Sequence, residues 1–285
     1  MIRSIRALLV LSTLALVTVV MIPFQWIALR AGWDLRRRLP VLWHRIACRL
    51  VGIRIIEHGK PSAARPLLIA ANHSSWLDIT VLGSRMPLSF IAKSEVAGWP
   101  VFGLFAKLQR SVFVDRERRA DTGRIAAEIG TRMVDGDAMV LFAEGTSNDG
   151  NGVLPFRSAL LGAARHALAG EKSEVLVQPL SIAYTRLQGL PMGRQFRPRV
   201  AWYGDMEMAG HFLAVVKEGA IDVELGWGKP IPFRLDTDRK ALARRLESEV
   251  RAMTVAALTG SSRRAEGPPA DPLFSSGEKP VKAPA

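Results

Sequence analysis

Residues 67–78 read LLIAANHSSWLD, and the fold class turns on how this stretch divides. The first five residues are an uninterrupted apolar run of strand length, the pattern of a strand buried on both faces. Asn72, His73, Ser74 and Ser75 make a polar break, after which Trp76 opens an amphipathic segment. A strand that delivers polar residues to a turn and runs on into a helix is a building unit of α/β domains. His73 and Asp78 are five residues apart. On one continuous helix that spacing turns through about 500° and leaves the two side chains roughly 140° apart. They meet only if His73 lies in the loop and Asp78 in the first turn of the helix, with Ser74 or Ser75 as its N-cap. Asp78 would then accept from one ring nitrogen, fix the tautomer and leave the other nitrogen as a base. The same spacing also fits a histidine and an aspartate that merely cap a helix.

Outward from this stretch, short apolar runs alternate with amphipathic ones from residue 53 to 258. Strands are expected over 53–57, 67–71, 88–92, 111–115, 138–143, 175–184, 199–203 and 221–226. Helices are expected over 76–83, 100–109, 119–135, 158–169, 208–217 and 237–257. The pattern predicts an α/β domain with a mixed central sheet flanked by helices. Pro179 inside the apolar run 175–184 predicts a sheet edge or a bulge. Residues 259–285, rich in Pro, Gly, Ser and charge, read as a disordered tail.

Before the domain lie two segments of another kind. Residues 7–29 carry no charge and are flanked by Arg3, Arg6 and Arg30, a length sufficient to cross a hydrocarbon core of about 30 Å. Residues 1–32 therefore read as a membrane anchor. A cleaved signal peptide would have a shorter apolar region followed by a small-x-small site. Pro23 leaves open whether the anchor spans the bilayer or turns back within it. Residues 33–52 read as a basic amphipathic helix at the membrane surface. Leu35, Leu39, Leu42, Trp43, Ile46 and Leu50 lie near one face, arginines are largely elsewhere, and Pro40 is expected to kink it. The bland reading is a core helix with a solvated arginine face. The positive-inside rule puts the body on the cytoplasmic side, and the expected location is the cell inner membrane.

Composition narrows the partners. The chain has 285 residues, 48% of them hydrophobic, and a formal charge of +13, which excludes general disorder and predicts an anionic partner. Nine arginines and one acid, Asp34, fall in residues 1–54, so most of the excess sits beside the anchor and points to anionic membrane lipid rather than nucleic acid. A single cysteine, Cys48, excludes an intramolecular disulfide. His44, His58, His166 and His211 are scattered and H-E-x-x-H is absent, so no metal site is expected. No G-x-S-x-G elbow is present for a serine hydrolase.

Three further stretches carry polar groups at strand ends: Ser111-Val112-Phe113-Val114-Asp115-Arg116, Phe142-Ala143-Glu144-Gly145-Thr146-Ser147, and Val177-Gln178-Pro179. Each alone fits an ordinary strand end or turn. Together with Asn72-His73-Ser74-Ser75-Trp76-Leu77-Asp78, in this order, they resemble the four sequence blocks of the lysophosphatidic acid acyltransferase family, including its lyso-ornithine lipid acyltransferase branch. The likeness covers roughly residues 40–230.

The resemblance implies transfer of a fatty acyl group from acyl-CoA or acyl carrier protein to the free hydroxyl of a lysolipid, without metal or other cofactor. It implies His73 as base and Asp78 as its orienter, and substrate-binding roles for Asn72, Phe113, Arg116, Glu144, Gly145, Thr146 and Arg157. On base rate the expected acceptor is 1-acylglycerol-3-phosphate, giving phosphatidic acid. Ser147, however, stands where the family usually has an arginine thought to hold the acceptor phosphate, and its loss removes a charge-assisted contact. That departure suits the alternative acceptor, lyso-ornithine lipid, which has no phosphate. A membrane-tethered protein that only binds anionic ligands is the distant alternative.

Overall fold

Strand β2 (Leu67–Ala71) is buried at every residue and lies inside the sheet. The structure, a computed structural model, describes residues 1–114, 122–162, 168 and 174–262. Their elements run α1 (Ile2–Ala31), α2 (Leu35–Val51), β1 (Ile53–His58), β2, α3 (Leu77–Gly83), β3 (Ser89–Lys93), α4 (Phe102–Leu108) and β4 (Val112–Val114). Next come α5 (Thr122–Val134), β5 (Ala138–Phe142), β6 (Val175–Leu187), β7 (Leu190–Pro191), α6 (Met208–Glu218), β8 (Ile221–Trp227), β9 (Ile231–Phe233) and α7 (Arg239–Thr259).

The sheet order is β1-β8-β6-β2-β5-β3-β4, with β7 and β9 paired to β6. β2 is parallel to both β5 and β6, and β3 is parallel to β5 and β4. β8 runs antiparallel to β6 and carries β1 parallel to itself. The mixed sheet expected from the sequence is what forms. Leu67, Ile69 and Ala71 face a core shared with α1, α2, α3 and α6, whereas Leu68 and Ala70 face a second core under α5 and α7. Helices on both faces keep water from either side of β2, which is why its apolar run needs no alternation.

Residues 199–203 form no strand. A 3-10 turn at Arg197–Arg199 leads into chain whose bonds go to the loop after β2: the Trp202 N–H donates to the Ser74 carbonyl at 2.8 Å, and the Ser75 hydroxyl to the Val200 carbonyl at 2.7 Å. Pro179 marks neither an edge nor a bulge. It pairs with Ala70 inside the sheet, between the residues of β6 that pair with β9 and those that pair with β8. Its missing N–H falls where one neighbour replaces the other, so no ladder bond is lost. Its carbonyl accepts from the Gly228 N–H at 2.9 Å, and a Cβ at Gly228 would come within 2.5 Å of the proline ring. The irregularity in β6 falls at Tyr184/Arg186 instead. β7 and β9, two and three residues long, are too short to give a periodic signal in the sequence. Of the helix expected over 158–169, a 3-10 turn at Leu160–Gly162 is described. Arg116 and most of the expected tail lie outside the described residues.

Helix α1 is long and apolar enough to cross a membrane by length and composition, with a stretch of mean hydropathy 2.5. It continues through Pro23, and its buried residues are Ala7, Val10, Gln25 and Ala28. Leu8, Leu9, Leu16, Val19 and Phe24 are exposed. Two polar side chains fix it to the body. The Arg6 guanidinium donates to the Val51 carbonyl at 2.6 Å and to that of Val216, at the C-terminal ends of α2 and α6, where helix carbonyls lack intrahelical donors. Gln25 Nε2 donates to the carbonyls of Leu108, at 2.7 Å, and Arg36, at 3.0 Å. The Arg36 carbonyl is the one that Pro40, four residues on, leaves without its helical donor. Gln25 supplies that donor, and α2 runs on through Pro40.

The apolar row read from the sequence of α2 is not its buried row. Leu35 and Leu42 are exposed and Leu39, Trp43, Ile46 and Leu50 half-buried, while Val41, His44, Ala47, Cys48 and Val51 are buried. Contact with α1 on one side and α3 on another selects the second row.

Candidate active site

β2 ends at Ala71, and Asn72, the residue after it, anchors the loop to the sheet. Asn72 donates from Nδ2 to the Ile182 carbonyl at 2.9 Å and accepts at Oδ1 from the Ile182 N–H at 2.8 Å. This two-bond clamp ties the end of β2 to β6 and commits a side chain that is 2% exposed. His73 then lies at the C-terminal end of a parallel strand, where open α/β sheets place their ligand sites.

Asp78 is the second residue of α3 and is fully buried. His73 Nδ1 is 2.8 Å from Asp78 Oδ2, and the same oxygen accepts from the Ser74 N–H at 2.8 Å and the Ser75 N–H at 3.1 Å. The Tyr184 hydroxyl donates to the other oxygen at 2.7 Å. Four donors satisfy a carboxylate that would otherwise be costly to bury. A carboxylate only accepts, so Nδ1 carries the proton and Nε2 is left as a base. The His73 ring stacks on Phe142 at a centroid distance of 3.9 Å, and Phe142 stacks on Phe90. The helix cap differs from the expectation: Trp76 occupies the N-cap without a side-chain bond. Ser75 Oγ accepts from the Leu77 N–H at 3.3 Å. Asp78 folds back and does for the loop what a capping serine would do for the helix.

The turn after β5 packs against this loop. Glu144 is 1% exposed. Its Oε2 accepts from Asn148 Nδ2 at 2.7 Å and its Oε1 from the Leu154 N–H at 3.2 Å, while the Asn148 N–H donates to the His73 carbonyl at 3.0 Å. Burial pushes the Glu144 carboxyl up to about 8, and the nearby charge of Asp78 acts in the same direction. Glu144 therefore holds the turn from within. The Gly145 N–H donates to the Phe142 carbonyl at 3.0 Å, and the Arg157 N–H to the Ala143 carbonyl at 2.8 Å. Thr146 and Arg157 are both exposed near the same turn. Phe113 is half-buried on β4 and pairs with Ala92.

Sequence reasoning missed Tyr184, Asn148 and Phe142. The alternation of β6 puts Leu180, Ile182 and Tyr184 on one face and could have brought Tyr184 forward. Nothing in the sequence signals that Asn148 reaches both Glu144 and the backbone of His73. Among the described residues no group of three His, Cys, Asp or Glu is arranged to hold a metal ion.

Comparison with known proteins gives this arrangement its setting. Residues 53–183 match the Acyltransferase family model. Lyso-ornithine lipid O-acyltransferase of Brucella abortus (strain 2308) is 53% identical over 264 residues, 91% of this chain and 98% of that protein. The chain belongs to the acyltransferase family. This acyltransferase is also similar to lyso-ornithine lipid O-acyltransferase of Rhizobium meliloti (strain 1021), at 44% identity over 95% of this chain and 93% of that one. With 1-acyl-sn-glycerol-3-phosphate acyltransferase of Neisseria gonorrhoeae it shares 30% identity over 70% of this chain and 74% of that protein. Its fold matches the crystal structure of the 1-acyl-sn-glycerophosphate acyltransferase of Thermotoga maritima with a TM-score of 0.56 at 20% identity, covering 94% of this chain and all of that one.

Proposed function

We propose that the protein is a membrane-bound lyso-ornithine lipid O-acyltransferase that moves a fatty acyl group from acyl-CoA or acyl carrier protein to the hydroxyl of lyso-ornithine lipid. The observation that carries the acceptor is the near full-length likeness to the Brucella abortus enzyme of that name. Ser147 supports it, since the arginine that the family uses for a phosphate is absent here. The order of the two acceptors is thus the reverse of the base-rate expectation from sequence.

His73 Nε2 takes the proton of the acceptor hydroxyl as its oxygen attacks the thioester carbonyl. A C–O bond forms and the C–S bond breaks. The sulfur leaves with the electron pair and receives the proton that His73 holds. A thiolate, with a conjugate-acid pKa of about 8.5, leaves far more readily than an alkoxide, so one base suffices. Asp78 keeps the imidazole in its tautomer and stabilises the imidazolium. Asn72 and Glu144, whose polar atoms are engaged inside the protein, position the loops; Gly145, Thr146, Arg157, Phe113 and Arg116 are assigned to the substrates.

The membrane is the cytoplasmic leaflet of the inner membrane, with α1 lying in it rather than across it. Arg6 and Gln25, about 28 Å apart along the helix, both bond to the same body, and the apolar face between them is exposed. A cysteine placed at residue 2 should react with an impermeant thiol reagent only from the side that exposes the domain.

The acceptor is tested by incubating membranes that contain the protein with a labelled acyl thioester and each lysolipid. Labelled ornithine lipid, lost in His73→Ala, is the expected result. Labelled phosphatidic acid alone would overturn the acceptor.

A further inference from the structure

With Ser147 in place of the family's arginine, a charged acceptor headgroup needs another partner, and a distant part of the chain supplies one. Arg197 opens the 3-10 turn Arg197–Arg199, just before Val200 and Trp202, which bond to Ser75 and Ser74. A Cβ built on Gly150 would stand 3.7 Å from the Cβ of Arg197 and 3.9 Å from that of Ser74. The loop of His73, the turn of Glu144 and the segment of Arg197 therefore meet at one residue, whose φ of 75° suits glycine.

The charges at this junction are held apart rather than cancelled. Arg197 Nη1 donates to Asn151 Oδ1 at 2.9 Å, the one side-chain hydrogen bond of that guanidinium among the described residues. Asn151 in turn donates to Asp149, from Nδ2 at 2.9 Å and from its backbone N–H at 3.0 Å. A neutral amide thus sits between a cation and an anion. Burial works against the charge of Asp149, but the bonds from Asn151 and the field of Arg194 and Arg197 outweigh it and hold the carboxyl below its usual value.

We propose that Arg197, Arg194 and Asp149 form the receptor for a zwitterionic amino-acid headgroup. Arg197 takes the acceptor's carboxylate through its planar fork, and Asp149 takes the amine. Arg194 reinforces the positive side. The assignment rests on the proposed lyso-ornithine acceptor and names what selects it.

The test uses full-length protein and three acceptors: lyso-ornithine lipid, its carboxyl methyl ester, and 1-acylglycerol-3-phosphate. Arg197→Gln should raise KM for lyso-ornithine lipid about tenfold or more with little change in kcat. The methyl ester should raise KM by a similar factor on the parent protein and add nothing on Arg197→Gln. Asp149→Asn should raise KM for lyso-ornithine lipid and lower it for the phosphate acceptor, because a repelling charge is gone. Equal loss on all three acceptors would mean that Arg197 only holds the loop, and unchanged KM values would mean that the headgroup binds elsewhere; either result overturns the proposal while leaving the acceptor reading standing. Turnover of the phosphate acceptor alone by the parent protein would remove the acceptor reading itself, and the headgroup assignment with it.

Discussion

Two buried aspartates at opposite ends of the parallel strands are partnered in opposite ways. Asp78, beyond the C-terminal end of β2, meets two backbone N–H groups, a phenol and an imidazole. Asp137, at the N-terminal end of β5, meets three guanidinium groups, those of Arg37 at 3.1 Å, Arg110 at 2.8 Å and Arg132 at 3.2 Å. Neutral donors make a carboxylate tolerable in the interior without cancelling its charge. Asp78 thus keeps a field that an imidazolium forming at His73 can use. Three cations more than cancel Asp137, which becomes a strut joining α2, α5 and the start of β5. Burial, and then repulsion from Arg110, lower the Arg132 guanidinium from its ordinary value, the mark of arginines crowded for structure.

The comparison breaks most readily at Asp78. Asp78→Asn should lower kcat by about 1,000-fold or more while circular dichroism reports an intact fold; a change under tenfold would make the aspartate a loop element only. Asp137→Asn should cost about 3–5 kcal/mol in urea unfolding, because it leaves arginines without their anion, with turnover per folded molecule unchanged. A loss of turnover matching that of Asp78→Asn would erase the distinction. Tyr184→Phe removes one neutral donor and should lower kcat about tenfold at constant KM. Tyr184 bonds the carboxylate oxygen that does not face His73, so a rise in KM alongside the fall in kcat would mean that the loop itself had loosened.

The smallest effect is on pH and stability at Glu144. Its folded pKa of about 8 lies above the ordinary value of 4.5, so the folded state binds the proton more tightly than the unfolded one. Stability from this group is fully present below about pH 4.5 and falls as the pH rises to about 8. Glu144→Gln should flatten that slope in unfolding measured across the interval. An unchanged slope would mean that Glu144 is ionised where it lies.

Most of the fold was legible because buried strands announce themselves by unbroken apolar runs: Leu67–Ala71 was read to the residue. The misreadings are instructive. Residues 199–203 have the composition of a strand, but their backbone groups are taken by Ser74 and Ser75. Pro179 breaks the rule for central strands because the neighbour on its N–H side changes at that residue. At the candidate site the spacing allowed the dyad but equally a plain helix cap, and the resemblance across four blocks selected the dyad. The donor from Tyr184 and the bridge through Asn148 could not be read, since they join residues far apart in sequence or on irregular turns.

The sequence by itself determined the α/β class, the long apolar N-terminal stretch with its flanking arginines, and the condition that His73 and Asp78 can meet only across a break in the helix. These follow from local periodicity and charge, which need no partner to be read. Only the tertiary structure decided which row of α2 is buried, that Gln25 completes the helix that Pro40 interrupts, and that Arg197 comes to rest beside the loop of His73. Those outcomes depend on which distant groups compete for the same carbonyls and the same space, and that competition exists only once the chain has folded.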